Sequence, residues 1–193
     1  LATSHHIGLH RLPAVLRQYS LAYPQVELAI RFMDSEQGCA AVAAGGLEMA
    51  VVTLPREPMA RLELLRIWND PLAVMVSRTH PLAREGEGRL LAYPAIVPER
   101  GTETRRLIDA SLLAAGLHFR TGVETNYREA SRMLVMVGLG WSVLPLSMHN
   151  EELVCIAVSG VVVHRQLGLV LREGATLSRA AQAFAELLQT AVA

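Results

Sequence analysis

The fold is decided by residues 124–145, which read ETNYREASRMLVMVGLGWSVLP. Asn126, with Glu129 three residues later, is the pattern of a helix N-cap with a capping box. The apolar residues expected on one face of that helix are Ala130, Met133, Leu134 and Val137. Gly138 and Gly140 end the helix, and a buried strand runs from there to Pro145. The stretch is therefore half of a βαβ unit, whose helix N-terminus can face a ligand.

The same alternation extends along the rest of the chain. The first half predicts strands at 1–3, 26–32 and 47–53, one helix along Leu9, Leu12, Leu16 and Tyr19, and another that starts at Asp34 and ends at Gly45. The second half predicts strands at 93–98, 119–125 and 142–146, with helices at 102–115 and 127–139. A βαβαβ order predicts a parallel sheet covered by helices.

The segments that join and follow these halves are mostly extended. Two runs, 62–68 and 72–77, are separated by Asn69-Asp70-Pro71, and 80–89 is expected to be an exposed loop or short helix. Strands at 153–158 and 161–171 and a helix that begins after Ser178 complete the chain. This order predicts an α/β fold with two Rossmann-like lobes, a ligand cleft between them and two crossover strands. We expect lobe I to be 1–73 plus 166–193, and lobe II to be 74–165.

Composition excludes several classes of function. The 193 residues carry 18 basic and 18 acidic side chains, so the segment lacks the basic excess of a nucleic-acid-binding domain. Every basic residue is Arg, which removes Schiff-base and phosphate-loop lysines. Cys39 and Cys155 are far apart in sequence, which favours two small buried thiols in a reducing cytosol over a regulatory disulfide. The missing initiator Met suggests a fragment of a longer protein, although a removed signal peptide would leave the same trace.

Polar residues follow the predicted strands at the places where parallel sheets bind ligands. In the first half these are Ser4, His5, Asp34, Ser35 and Thr53, and in the second they are Glu99 to Thr104 and Asn126. Helix N-termini expose N–H groups and a partial positive charge, so they favour anions. We therefore expect a small polar, anionic metabolite. The alternative for each residue is an ordinary capping role.

The sequence supports a catalytic or metal-binding function less well than it supports ligand binding. The sequence Gly140-Trp141-Ser142 resembles the start of a nucleophile elbow, but the final Gly is missing and the order is helix to strand rather than strand to helix. His6 and His10, next to His5, have helical metal spacing without the Glu of a zinc-protease motif. No glycine-rich dinucleotide motif follows a strand. We expect no catalytic residue, no metal and no cofactor.

Short motifs across the whole chain resemble the effector-binding domain of LysR-type transcriptional regulators. They are Leu12-Pro13-x-x-Leu16, Tyr23-Pro24-x-Val26-x-Leu28, 46–52, 72–76 followed by His80-Pro81-Leu82, and 137–145. The resemblance implies a type II periplasmic-binding-protein fold, a homodimer or tetramer formed through this domain, and a small effector in the interlobe cleft. DNA would be bound only by a winged helix-turn-helix that precedes this domain in the family.

The resemblance also implies a set of effector-binding positions. Carried over to this sequence, they are Ser4, His5, Ser35, Thr53, Thr102, Glu103 and Asn126. A cytoplasmic ligand sensor that is not an enzyme and does not contact a membrane is the expected function. An extracytoplasmic solute-binding protein of the same fold is the main alternative, and an enzyme on this scaffold is another.

Overall fold

A computed structural model describes residues 1–190. The chain forms two compact units. Unit 1 contains Leu1–Asn69 and the chain from Gln166 onward, and unit 2 contains Asp70–Arg165. The exact limits of the two predicted lobes stay a prediction.

Unit 1 is a sheet between two layers of helix. Its elements are β1 (Ala2–Thr3), α1 (His5–His10), α2 (Pro13–Ala22), β2 (Arg31–Phe32), α3 (Ser35–Ala43), β3 (Met49–Thr53), the start of β4 (Leu62–Ser77), the end of β9 (Val163–Arg172) and α7 (Arg179–Thr190). The strand order is β2-β1-β3-β9, in which β1 is parallel to β2 and β3, and β3 is antiparallel to β9.

Strand β3 shows why this sheet is buried on both faces. Val51 packs with Tyr19 of α2 and Phe184 of α7, whereas Val52 packs with Val42 of α3. Successive side chains of a strand point to opposite faces, so helices must cover both sides of a continuously apolar strand. The prediction of a parallel sheet covered by helices is confirmed here.

Unit 2 repeats the plan. It contains the end of β4, α4 (Leu82–Glu85), β5 (Ala95–Val97), α5 (Glu103–Ala114), β6 (Thr121–Glu124), α6 (Arg128–Met136), β7 (Trp141–Pro145), β8 (Leu153–Ile156) and the start of β9, with 3-10 turns at Glu87–Ala92 and Leu146–Met148. The order is β4-β7-β5-β6, with β8 also paired to β4. Strand β5 is parallel to β6 and β7, and β4 is antiparallel to β7 and β8.

Strands β4 and β9 both run from one unit into the other. The structure makes β4 one continuous strand of 16 residues, so the predicted break at Asn69-Asp70-Pro71 is wrong. The strand continues through Asp70 because the buried side chain of Asp70 has a charged partner on β9. Arg165 Nε donates to Asp70 Oδ2 at 2.6 Å, and both side chains are buried. A buried carboxylate needs such a charged partner.

Three other local predictions need correction. The strand predicted at 26–32 is reduced to Arg31–Phe32, because it pairs with a β1 that offers only Ala2 and Thr3. Leu9 does not share a helix with Leu16, because Pro13 lacks the N–H that would continue α1 and instead begins α2. Cys39 is buried as expected, but Cys155 is exposed.

The buried face of α6 also differs from the predicted apolar face. Met133 and Val137 are exposed, whereas Ser131 and Val135 are buried. The helix is shorter than predicted and ends at Met136, followed by Gly138 at φ +85°. This positive φ confirms the glycine stop.

Candidate functional site

The carboxyl ends of the parallel strands of unit 1 meet at one edge. Thr3 is in register with Phe32 of β2 and Val51 of β3. The residues that follow each strand therefore emerge side by side, as open parallel sheets require of a ligand-binding edge. The five polar residues predicted for this half lie at these strand ends: Ser4 and His5 follow β1, Asp34 and Ser35 follow β2, and Thr53 ends β3.

Ser4 and His5 follow β1 at the start of α1. Ser4 has the extended backbone of an N-cap, but its hydroxyl makes no capping hydrogen bond. The His5 side chain is exposed, and its ring centroid lies 5.6 Å from that of Phe32 at the end of β2. The Ser4 hydroxyl is therefore not used to cap the helix that follows it, and the His5 ring lies exposed at this edge.

Ser35 and Thr53 connect the second and third strand ends. Both are buried, and Ser35 Oγ accepts a hydrogen bond from the Thr53 backbone N–H at 3.1 Å. The capping of α3 is done by the residue before, because Asp34 and Gln37 form a reciprocal capping box. The predicted helix start signal is thus confirmed, and Ser35 is not needed as a cap.

Thr102 and Glu103 begin α5 in unit 2. The Thr102 hydroxyl accepts from the Arg105 N–H at 3.3 Å and donates to the Glu99 carbonyl at 2.9 Å, so it is a working N-cap. Glu103 is buried, and its Oε2 accepts from Arg106 Nη2 at 2.9 Å. Both side chains are engaged within the unit.

Asn126 does not cap α6, which corrects the sequence prediction. The N-cap of α6 is Tyr127, which makes no side-chain capping bond. Asn126 Oδ1 instead accepts from the Glu99 N–H at 3.0 Å, and its Nδ2 donates to Glu99 Oε2 at 3.2 Å. The bond to a residue 27 positions away fixes the loop after β6 to the loop after β5.

Arg105 is the main residue at this edge that sequence reasoning missed. It is 4% exposed, yet Nε donates to both Asp109 oxygens and Nη1 donates to the Pro98 carbonyl and to Glu124. Burial lowers the pKa of Arg105, but the hydrogen bonds to Glu124 and Asp109 outweigh this effect and raise it. Two adjacent arginines in the first turn of a helix are typical of a solvated position, and only the contacts of Arg105 with Pro98 and Glu124 show that it is buried.

Unit 2 also carries an open groove of about 420 Å³ beside α5. Its apolar side chains include Leu113, Leu117 and Phe119, and its basic ones include Arg100 and Arg106. It is a second place in this unit where an anion with an apolar body could contact arginine.

The structure also places the weaker chemical candidates, Ser142 and the histidines of α1. Ser142 is 2% exposed in the middle of β7, where it pairs with Met75 of β4, so it has none of the exposure of a nucleophile elbow. His6 and His10 lie on α1 with ring centroids 4.6 Å apart.

Two lobes of the same α/β plan, with polar groups at helix N-termini, define a ligand-binding domain of the periplasmic-binding-protein type. The chain belongs to the LysR substrate binding domain family, whose model matches residues 1–193. The resemblance to LysR-type effector-binding domains and the predicted type II fold are thus confirmed.

Similar proteins agree with this assignment. The regulator CbbR of Rhodospirillum rubrum is 27% identical over 93% of this chain and 61% of its own length. A probable RuBisCO transcriptional regulator of Trichormus variabilis is 25% identical over 96% of the chain and 59% of its own length. The chain thus spans about three fifths of the length of these relatives. They are transcriptional regulators, not enzymes, and the family is oligomeric.

Solved structures share the fold at low identity. The effector-binding domain of QuiR in complex with shikimate superimposes with a TM-score of 0.87 at 17% identity, covering 99% of this chain and 94% of that one. The regulatory domain of Synechocystis CcmR in complex with 2-PG has a TM-score of 0.85 at 23% identity, covering 99% and 95%. Among residues 1–190, no helix is both long and apolar enough to cross a membrane.

Proposed function

We propose that this domain senses a small anionic metabolite and passes that signal to a DNA-binding regulator of which it is a part. The contacts in unit 1 are Ser4, His5, Ser35 and Thr53, and those in unit 2 are Thr102, Glu103 and Asn126. The observation that carries the proposal is that the four unit 1 residues lie at one strand edge. Two of them, Ser35 and Thr53, are joined there by a 3.1 Å hydrogen bond. A helix N-terminus at that edge favours negative charge.

The chemistry of each half supports an anion in a different way. In unit 1, hydroxyls and an imidazole can donate directly to carboxylate or phosphate oxygens. In unit 2, the Thr102 hydroxyl already donates to Glu99, and the Glu103 carboxylate is paired with Arg106. Its contribution is therefore the partial positive charge at the N-terminus of α5. Shikimate, the ligand named with QuiR, is a small carboxylate, which fits this class.

We further propose the role of the whole protein. It is a cytoplasmic, non-enzymatic regulator that binds DNA through a segment outside this domain and assembles as a homodimer or tetramer. The effector acts by binding two conformations with different affinity and so shifts their populations.

Calorimetry of the purified domain tests the ligand class. The panel contains carboxylates and phosphate esters, with matched uncharged and cationic analogues. We expect saturable binding only of anions, and Ser4→Ala weakens it while leaving the melting temperature unchanged. Thr102→Ser is the matched unit 2 variant, since it keeps the cap. Tight binding restricted to apolar or cationic compounds would overturn the proposal.

A further inference from the structure

Arg132 lies on the buried side of α6 in unit 2. The buried residues of this helix are Arg128, Ser131 and Val135, and Arg132 shares their helical face by its spacing. The Arg132 side chain is half-buried, and its Nε atom is buried. The apolar stem of an arginine is readily covered in this way, but the guanidinium is a charged group that needs acceptors.

The Nε–H group of Arg132 has no hydrogen-bond acceptor among residues 1–190. Glu129 is three residues earlier in α6, at a spacing where helical ion pairs form, yet no ion pair joins it to Arg132. By contrast, Arg105 and Arg165 are each held by a carboxylate of unit 2. A buried charged donor without an acceptor is rare in folded proteins and indicates a further partner, such as a bound ion.

The position of Arg132 along α6 is close to the strand edge of unit 2. Strand β5 is parallel to β6 and β7, so the carboxyl ends of the three strands lie on one edge, and α6 begins there after β6. Arg132 is one turn beyond Arg128, the first residue of α6. Side chains of a helix lean towards its N-terminus, so a long arginine side chain reaches back towards that edge.

We propose that Arg132 binds the anionic group of the effector in unit 2. The inference rests on the proposed function, because it adds a positively charged contact to Thr102, Glu103 and Asn126, whose side chains are bonded within the unit. A guanidinium donates two parallel hydrogen bonds to a carboxylate or a phosphate, so Arg132 suits either group. The bound anion supplies the acceptor for the buried Nε–H.

The first test titrates the ¹⁵N-labelled chain with inorganic phosphate and, separately, with acetate. The Nε–H signal of Arg132 is assigned by its absence from the spectrum of Arg132→Lys. We expect this signal to shift saturably with at least one of the two anions. Sodium chloride at the same ionic strength is the control for screening. A signal that does not respond to either anion, or responds equally to chloride, would overturn the proposed contact.

The second test compares variants through the anion affinity reported by the backbone amides of α6. Arg132→Gln removes the charge and should weaken binding about tenfold. Arg132→Lys keeps the charge without the planar pair of donors and should weaken it about threefold. Arg120→Gln is the matched control, on an exposed residue before the opposite end of β6, and should leave the affinity unchanged. Equal affinity in Arg132→Gln and the parent chain would contradict the proposal.

The melting temperature separates a binding role from a structural one. Arg132→Gln removes a buried charged donor that has no acceptor, so without anion it should not lower the melting temperature. Phosphate or acetate should then raise the melting temperature of the parent chain more than that of the variant. A variant that melts earlier but binds anions as tightly as the parent would make Arg132 a structural residue and overturn the binding role.

The unit 1 edge distinguishes failure of this inference from failure of the proposed function. If anions shift the amides of Ser4 and Ser35 but not the Nε–H of Arg132, the anion sensor stands and the role of Arg132 is wrong. If no anion of the calorimetric panel binds, both are wrong. If Arg132 responds while the unit 1 amides do not, the Arg132 contact stands and the proposed unit 1 contacts are overturned.

Discussion

The strand edges of unit 1 and unit 2 are built on the same βαβαβ plan but use their polar residues differently. In unit 1 the cap of α3 is supplied by Asp34, so Ser35 is left to bond Thr53, and Ser4 makes no capping bond. In unit 2 Thr102 caps α5, and Asn126 is bonded to Glu99. The hydroxyls of Ser4 and Ser35 in unit 1 are therefore not used as helix caps. In unit 2 the side chains of Thr102 and Asn126 are bonded to the loop after β5. Two units with the same topology can therefore present different groups to a ligand.

Removing the side chain of Arg105 should have the largest effect on stability. We expect Arg105→Ala to lower the free energy of unfolding by about 3 kcal/mol, because the buried Pro98 carbonyl loses its charged donor and the Phe119 ring loses the guanidinium packed on it. Urea denaturation measures the loss. The control is Arg100→Ala, whose side chain is 83% exposed and whose 4.0 Å ion pair with Glu124 should contribute less than about 1 kcal/mol. Equal losses in the two variants would show that unit 2 is not held from within by Arg105.

Ser35→Ala should have the next largest effect and tests the unit 1 edge. The buried Thr53 N–H loses its acceptor, and an unsatisfied buried donor costs about 2 kcal/mol. Ser4→Ala is the matched control and should change stability by less than about 0.5 kcal/mol. Chemical denaturation of both variants measures these changes in the free energy of unfolding. A neutral Ser35→Ala would mean that the Ser35–Thr53 bond does not organise this edge.

Thr102→Val and Asn126→Ala contrast the two polar residues of unit 2. We expect Thr102→Val to cost about 1 kcal/mol through loss of the α5 cap. Asn126→Ala should instead speed hydrogen exchange at the Glu99 amide and leave the first turn of α6 unchanged, since Asn126 is not its cap. Hydrogen exchange measured on both variants tests this. Faster exchange at the start of α6 in Asn126→Ala would restore the capping role that the sequence suggested.

The smallest expected effect is a pH dependence confined to unit 2. His80 Nδ1 accepts from the Leu82 N–H at 3.1 Å, the ring lies against Tyr93, and burial lowers the pKa of His80. The folded state therefore binds a proton less readily than the unfolded state does. Its stabilising contribution is present above the unfolded pKa of about 6.5 and is lost as the pH falls through the lower folded pKa.

The measurement is the hydrogen-exchange protection of residues 80–93 between pH 7 and pH 5, corrected for the intrinsic pH dependence of amide exchange, and this protection should fall before that of unit 1. His80→Asn keeps an acceptor for Leu82 without the titration, so its exchange should depend less on pH. The same pH dependence in His80→Asn would assign the effect to another group.

Much of the fold could be read from the sequence because it depends on local signals. Asp34 with Gln37, glycine at position 138 and the apolar run before Pro55 each specify a boundary through their own chemistry. The failures have a common cause. Asn126, Asp70 and Arg105 are placed by partners 27, 95 and 19 residues away, namely Glu99, Arg165 and Glu124. No local pattern contains those partners.

The arrangement of polar residues at the strand ends of unit 1 was predictable in outline for the same reason. Strand ends with Ser or Thr are visible in sequence, and the structure brings Ser4, His5, Ser35 and Thr53 to one edge. Which of them caps a helix was not predictable, because that depends on backbone geometry at a single residue. The exposed Met133 and Val137 on α6 show the same limit, since periodicity predicts a face but not what covers it.

The most direct test is chemical-shift mapping of the domain with the tightest-binding anion of the calorimetric panel. We expect the amides of Ser4, Ser35 and Thr53 and those of Glu103 and Thr104 to shift together, with a single binding constant. Shifts restricted to the groove around Leu113, Leu117 and Phe119, with the strand-edge amides unmoved, would contradict the proposed effector contacts.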